Sequence, residues 1–138
     1  MKKGLEVILK EVGLKVTKNR LLILGVFSED CKPLSADDIF RKLHSHHINL
    51  VTVYRTLLSF ERAKIITKVD LSRESVYYEL ASHHHHHIVC IDCGVIESFD
   101  GCGLEGLAKK TLHTSVKFDT IDKHSLEFFG VCKKCAKC

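Results

Sequence analysis

Apolar side chains recur every three or four residues in four segments of the first sixty positions. The repeating positions are Leu5, Ile8, Leu9 and Val12; Leu21, Leu24 and Phe27; Ile39, Phe40 and Leu43; and Val53, Leu57 and Phe60. Because a helix turns once in about 3.6 residues, this spacing places each group on one face of a helix. The pattern predicts four short amphipathic helices.

Polar residues and a glycine mark the ends of these helices. Gly13 is expected to end the first helix, and Thr17 can cap the start of the second. Ser35 and Asp38 have the spacing of a capping box, and Asn49 can cap the fourth helix. We therefore expect the last three helices to begin just after these polar residues.

The hydrophobic period changes after the fourth helix. Segments 65–69 and 76–80 are rich in β-branched and aromatic residues, and the polar turn 70–75 separates them. Three or four helices followed by a two-stranded ribbon describe a winged helix-turn-helix. We predict such a domain over residues 1–80, within an α+β protein.

In a winged helix-turn-helix, the helix before the ribbon enters the major groove of DNA. The outward positions of that helix are expected to be Thr52, Tyr54, Arg55, Thr56 and Ser59. Thr and Tyr suit contact with thymine methyl groups, and Arg suits phosphate or guanine. The alternative is a solvated helix face with a partly buried tyrosine.

Residues 81–138 form a second, smaller unit with few long apolar segments. The expected elements are strands 88–91, 95–99, 115–118 and 124–131 and a helix over 101–111. A unit of this size commonly needs a bound metal or a second copy of the chain for stability. We therefore expect a small metal-binding unit.

Charge and composition limit the classes of partner. Residues 1–80 carry 14 Lys and Arg against 10 Asp and Glu, a net charge of +4, whereas residues 81–138 carry 7 of each. The excess favours a nucleic-acid partner for the first part alone. Glu6, Lys10 and Glu11 interrupt the apolar positions near the N-terminus, so we expect no signal peptide, no membrane partner and a cytoplasmic location.

Seven cysteines without an export signal favour metal ligation over disulfides. Cys90-x-x-Cys93 and Cys132-x-x-Cys135 can supply four thiolates to one tetrahedral zinc ion. Cys138 offers a rival pair with Cys135, and spacing alone leaves both choices open. Two further cysteines without a paired neighbour are expected to be ordinary buried or half-buried residues, namely Cys31 and Cys102.

Five consecutive histidines, His83 to His87, precede the first cysteine pair. Because side chains alternate along a strand, His84 and His86 would face one side and His85 and His87 the other. Each pair could then hold a different metal ion. The alternative is a solvent-exposed histidine loop that binds metals adventitiously.

The order and spacing of these motifs resemble the ferric uptake regulator superfamily of bacterial metal-dependent transcription factors. The matching segments are 13–17 with Arg20, 34–39, 52–55, 78–80, the His-rich run with Cys90-x-x-Cys93-Gly94, and His124 to Gly130 before Cys132-x-x-Cys135. The resemblance covers nearly the whole length of the chain. It implies a homodimer that binds a palindromic operator in double-stranded DNA, with residues 81–138 as the dimerisation domain.

The resemblance also implies a role for individual residues. The DNA-contacting set is Lys15, Arg20, Thr52, Tyr54 and Arg55. Structural Zn²⁺ would be held by Cys90, Cys93, Cys132 and Cys135, which favours this set over one that uses Cys138. A site within the dimerisation domain would use His84, His86, Glu105 and His124. A regulatory hinge site for Fe²⁺ or Zn²⁺ would use Glu79, His85 and His87.

The chain departs from the family pattern at the hinge site. Pro33 stands where the family has a histidine, and the acidic ligand after Cys-Gly falls by count on Ser98. Glu97 lies one residue early, so a local shift would be needed for it to act as a ligand. We expect an incomplete hinge site, with Cys31 and Glu97 as candidate replacement ligands.

These observations predict a metal-responsive repressor of metal-uptake genes, with iron as the expected signal. Histidine at position 86 favours a zinc-responsive regulator as the alternative, while Glu79 argues against it. A peroxide sensor is less expected because Pro33 leaves the hinge site incomplete. A zinc storage or buffer protein is the alternative outside regulation. The sequence contains neither a zinc-hydrolase motif nor a nucleophile–base pair, so no enzymatic activity is expected.

Overall fold

The structure is a computed structural model that describes residues 2–29, 32–81, 85–101, 103–122 and 124–137. It divides into two compact units, Met1–His83 and His84–Cys138. Among the described helices, none combines the length and the apolar character that a membrane crossing requires. Helices and small sheets occur in both units, which confirms the predicted α+β class.

The first unit contains the four predicted helices. They are α1 (Lys2–Glu11), α2 (Lys18–Glu29), α3 (Ala36–Lys42) and α4 (Leu50–Arg62), with a 3₁₀ turn at His44–His46 between the last two. Gly13 follows α1 with a φ of 73°, a left-handed conformation that ends the helix. The amphipathic faces pack into one core, whose fully buried members include Leu9, Ile23, Leu24, Ile39, Val53, Leu57 and Phe60.

The predicted capping residues begin three of these helices. The Arg20 amide donates to Thr17 Oγ1 at 3.3 Å, and the Thr52 amide donates to Asn49 Oδ1 at 2.8 Å. Ser35 and Asp38 form a complete capping box, in which each backbone amide donates to the other side chain. Burial raises the pKa of Asp38, but hydrogen bonds from Ser35 and from Arg41 outweigh it and hold this pKa below 3.8.

The wing of the first unit has three strands, one more than predicted. Strands β2 (Ile66–Val69) and β3 (Tyr77–Leu80) form the expected antiparallel ribbon. A two-residue strand, β1 (Leu34–Ser35), pairs with the other edge of β3, so the sheet order is β1-β3-β2. Two residues are too short for a hydrophobic period, which is why the sequence does not reveal β1.

The second unit consists of a three-stranded sheet and one helix. Its elements are β4 (His86–Cys90), β5 (Ile96–Phe99), α5 (Glu105–Thr114), β6 (Glu127–Gly130) and a 3₁₀ turn at Cys135–Lys137. The sheet order is β5-β4-β6, with β5 antiparallel and β6 parallel to β4. The parallel pairing sets Cys90 beside Gly130, so the chain segments that follow β4 and β6 leave the sheet at the same end.

Two predicted elements of this unit are wrong or misplaced. Segment 115–118 is not a strand, because Ser115 Oγ accepts from the amides of Lys117 and Phe118 and forms a turn. The predicted helix begins at Glu105 and not at Gly101, since Gly101 and Gly103 have φ values of 77° and 60°.

Candidate metal centre and nucleic-acid interface

The two Cys-x-x-Cys motifs converge at the end of the second sheet. All four sulfur atoms, those of Cys90, Cys93, Cys132 and Cys135, lie within 4.8 Å of one another. Cys93 Sγ is 3.6 Å from Cys132 Sγ, and these four cysteines are free thiols. Parallel pairing of β4 with β6 produces this convergence, because it places Cys132 two residues beyond the partner of Cys90.

Backbone amides surround the cluster and favour the thiolate form at two positions. Hydrogen bonds from the amides of Cys93 and Cys132 lower the pKa of Cys90 from 9.0 to about 6. A hydrogen bond from the Cys135 amide likewise lowers the pKa of Cys132. The thiols of Cys132 and Cys93 raise the pKa of Cys135 from 9.0 to about 12. A cation among the four sulfurs would offset this crowding, so the donor set fits tetrahedral Zn²⁺.

The histidine run enters β4 with neighbouring side chains in different surroundings. The His85 and His87 rings contact each other edge to face, with centroids 4.9 Å apart. The His86 ring lies 5.4 Å from that of His124 and 5.6 Å from that of Phe99. His86 and His87 are both buried, and His85 is half-buried. The described histidines of this run therefore belong to two separate ring pairs, His85 with His87 and His86 with His124, and neighbouring positions differ as strand alternation predicts.

The register of β4 and β5 does not contain the local shift that would bring Glu97 to the side of His87. His87 is paired with Ser98, and Glu97 is paired with Ile88. Because paired residues share a face of the sheet, Ser98 lies on the side of His87 and Glu97 lies on the other. The proposed use of Glu97 beside His85 and His87 is therefore not supported by the structure.

The other expected hinge ligands lie in the first unit or outside the described residues. Glu79 is half-buried in β3. Pro33 is buried directly before β1 and offers no metal-binding side chain. Cys31, Cys102 and Cys138 lie outside the described residues.

Part of the expected dimerisation-domain site comes together. His86 and His124 are neighbours, whereas Glu105 is an exposed residue at the start of α5. Over the described residues, these three do not form a cluster with all donor atoms within 4.8 Å of one another. The fourth expected ligand, His84, lies outside the described residues.

Helix α4 presents a short polar surface to solvent. Tyr54 is 46% exposed, Arg55 is exposed and Thr52 is half-buried. Thr56 was expected to face outward but is only 8% exposed. It follows Val53 by three residues, and this spacing places it on the buried face of the helix.

Arg20 joins the loop between α1 and α2 to helix α4. Its Nη1 donates to the Lys15 carbonyl oxygen at 2.7 Å, and its Nη2 donates to Ser59 Oγ at 3.3 Å. The exposed Lys15 is thereby held near the helix that carries Tyr54 and Arg55. The sequence did not reveal this positioning role, because the bonded residues are distant along the chain.

Comparison with known proteins shows the same architecture. A model of the ferric uptake regulator family matches residues 11–129. The ferric uptake regulation protein of Vibrio parahaemolyticus is 39% identical over 129 residues, covering 90% of this chain and 85% of that protein. The ferric uptake regulator of Francisella tularensis, solved with iron, is 40% identical with a TM-score of 0.77, covering 90% of this chain and 96% of that chain. The ferric uptake regulator of Helicobacter pylori is described as having three functional metal-binding sites. It is 27% identical with a TM-score of 0.78, covering 97% of this chain and 90% of that chain. This chain therefore belongs to the ferric uptake regulator family.

Proposed function

We propose that this chain is an iron-responsive repressor that binds operator DNA through α4 and controls metal-uptake genes. As a member of its family, it is a metal-responsive transcription regulator and not an enzyme. The observation that carries the DNA-binding role is the exposed pair Tyr54 and Arg55 on a capped helix, with Lys15 held beside that helix by Arg20. As the family resemblance implies, Tyr54 and Arg55 would face thymines and the DNA backbone, and Lys15 would reach into the minor groove.

This proposal assigns three metal sites to the chain. The four cysteines bind structural Zn²⁺, which joins the segment after β4 to the segment after β6. Glu79, His85 and His87 bind the regulatory ion, and His84, His86, Glu105 and His124 form a further site. When bound, the regulatory ion would supply the positive charge that holds Glu79, His85 and His87 together. Iron is favoured because the Francisella tularensis relative, at 40% identity, was solved with iron.

The second unit supports a homodimer. Helix α5 contains no buried residue, and Leu107 on this helix is 57% exposed. An amphipathic helix without a buried face is stable when another surface covers it. A second copy of the chain is the proposed cover, and two DNA-binding units would then contact the two halves of a palindromic operator.

Metal would act by changing the population of the DNA-competent state. An ion that binds this state more tightly shifts the equilibrium toward it. A coupling free energy of about 1–3 kcal/mol would change operator affinity by roughly 5–150-fold. Zn²⁺ as the regulatory ion is the alternative within the class, on the strength of the all-nitrogen pair of the buried His86 and the half-buried His124.

The test is operator binding by the double variant Tyr54→Ala, Arg55→Ala, titrated with Fe²⁺, Zn²⁺ and Mn²⁺ at controlled free-metal levels. We expect operator affinity to fall by at least tenfold, since each good base contact contributes about 1–3 kcal/mol. Metal content should remain that of the wild type. Lys137→Ala, which removes an exposed cation from the second unit, is the matched control.

Three outcomes would contradict the proposal. Unchanged operator binding in the double variant would favour a zinc storage or buffer protein. If none of the three ions changes the DNA affinity of the wild-type protein, the metal-dependent switch is wrong. If only Zn²⁺ changes it, the chain is a zinc-responsive regulator.

A further inference from the structure

A surface cavity of about 440 Å³ lies against the C-terminal half of α4 in the first unit. Its lining residues are Leu14, Arg55, Leu58, Ser59, Arg62 and Ala63. The lining thus combines two guanidinium cations with a hydroxyl and three apolar side chains. Only Arg55 among these residues has a role in the proposed reading of the operator.

The spacing of the lining residues follows one face of α4. Arg55, Ser59 and Arg62 are separated by four and three residues, so they lie along the same side of the helix. At about 1.5 Å per residue, Arg62 stands about 10 Å beyond Arg55 along the helix axis. The major groove is about 12 Å wide, so a helix that reads bases near Arg55 meets the groove wall near Arg62.

The charges around the cavity favour an anion. Arg20 adds a third guanidinium, since it donates to Ser59 Oγ at 3.3 Å. Glu61 is the acidic neighbour of Arg62 in sequence, but its carboxylate pairs with Lys68 Nζ at 2.9 Å. Lys68 therefore partly compensates the negative charge of Glu61, which would otherwise oppose an anion near Arg62.

We propose that this cavity binds a phosphate of the DNA backbone and that Arg62 is its principal cation. Leu58, which is 45% exposed, would pack against the deoxyribose next to that phosphate. The inference rests on the proposed DNA-binding function and adds a contact outside the base-reading residues. A phosphate contact fixes the position of the protein on DNA and carries no sequence information. Arg62 therefore contributes affinity, and Tyr54 and Arg55 contribute selectivity.

The experiment measures operator affinity of the full-length, metal-loaded protein by fluorescence anisotropy between about 50 and 200 mM salt. Each neutralised phosphate contributes about 0.9 to the slope of log affinity against log salt. Arg62→Gln should reduce this slope by about 0.9 for each bound protomer and weaken operator and scrambled DNA equally. Arg62→Lys keeps the charge and should restore most of the slope.

Lys32→Gln is the control for net charge. Lys32 is exposed and follows the C-terminal end of α2, a twelve-residue helix about 18 Å long that carries Arg20 near its other end. This variant should keep the wild-type slope. A slope that falls equally in Arg62→Gln and Lys32→Gln would show a general charge effect and overturn the inference.

The failure of this inference differs from the failure of the proposed function. If wild-type protein binds the operator and Arg62→Gln keeps the wild-type slope, Arg62 contacts no phosphate. If Arg62→Gln loses selectivity for the operator over scrambled DNA, Arg62 reads bases and the assignment of a phosphate contact is wrong. If the wild-type protein shows no operator binding with any of the three ions, the proposed function itself has failed.

Discussion

At the scale of single residues, the cysteine cluster has the clearest chemistry. Four thiols with sulfur atoms within 4.8 Å of one another cannot all ionise without a compensating cation. The pKa of Cys90 at about 6 and that of Cys135 at about 12 reflect this conflict. Backbone amides stabilise the first thiolate, and the neighbouring thiols disfavour the last one.

Removing one cysteine of the cluster should release zinc. We expect Cys135→Ser to lose one zinc ion per protomer and to destabilise the second unit by several kcal/mol, since structural zinc sites contribute about 10–16 kcal/mol of binding free energy. Elemental analysis and thermal unfolding measure both effects. Cys138→Ser is the matched control and should retain zinc. Zinc loss in Cys138→Ser with retention in Cys135→Ser would instead assign the rival cysteine pair.

The stability of the metal-free, reduced protein should rise with pH. The pKa of Cys90 is about 6 in the folded chain, whereas its ordinary value is 9.0. Its thiolate therefore contributes its full stabilisation of the fold at a pH above 9.0. This stabilisation is lost as the pH falls through about 6. The free energy of unfolding by urea, measured with a chelator present, should therefore increase between pH 6 and 9. Cys90→Ala should flatten the rise, and an equally steep rise in that variant would contradict the assignment.

At the scale of elements, the register between β4 and β5 determines which side chains join the His85 and His87 pair. Ser98 is opposite His87, and Glu97 is one position away on the other face. A hydroxyl is a poorer ligand for a divalent cation than a carboxylate. Position 98 is therefore the place where a carboxylate would strengthen the incomplete hinge site expected from the sequence.

Replacing Ser98 by glutamate should strengthen that site. We expect Ser98→Glu to tighten regulatory metal binding by about tenfold, or about 1.4 kcal/mol, because the carboxylate starts on the same face as His87. Isothermal titration with Fe²⁺ or Zn²⁺ on zinc-loaded protein measures the change. Glu97→Gln should leave the affinity unchanged. Loss of regulatory metal binding in Glu97→Gln would show that Glu97 is a ligand after all.

The capping box sets the start of α3. Ser35→Ala removes the hydroxyl that accepts from the Asp38 amide, and we expect the free energy of unfolding to fall by about 0.5–2 kcal/mol. Urea denaturation, followed through the unfolding transition of the first unit, measures this free energy. Ser45→Ala, at an exposed position of the 3₁₀ turn, should have little effect. An equal loss in both variants would argue against the cap as the cause.

At the scale of the whole molecule, the two units bury their apolar residues to different extents. The first unit has one core that contains most of the buried hydrophobic side chains of the described residues. The second unit leaves Val116 and Phe118 95% and 70% exposed, and α5 contributes no buried residue. The second unit is therefore the one that gains most from a partner surface.

Charge on α5 should disrupt the proposed homodimer. Leu107→Glu places a carboxylate on the exposed apolar face of α5, and we expect the protein to become monomeric and operator affinity to fall by more than tenfold. Light scattering after size-exclusion chromatography measures the mass. Lys109→Glu, an exposed charge change on the same helix, should remain dimeric. A monomeric wild-type protein at micromolar concentration would contradict the homodimer.

Local patterns were sufficient to predict the four helices, three of their caps, the ribbon and the two Cys-x-x-Cys pairs. Each depends on residues within a few positions of one another, whose spacing and hydrogen-bonding groups are visible in the chain. The errors arose where local signals were weak. The turn at Ser115 has the composition of a strand, and Thr56 looks polar although its position in the helix period is an inner one.

Contacts between distant segments required the folded chain. Parallel pairing of β4 with β6 brings Cys90 and Cys132 together, and the register of β4 with β5 places Ser98 and not Glu97 beside His87. Arg20 reaches Ser59 across 39 positions of sequence. Sequence alone determined which donor groups this protein possesses and the elements that carry them. Which donors meet depended on strand register and packing, because a shift of one residue reverses the face of every side chain.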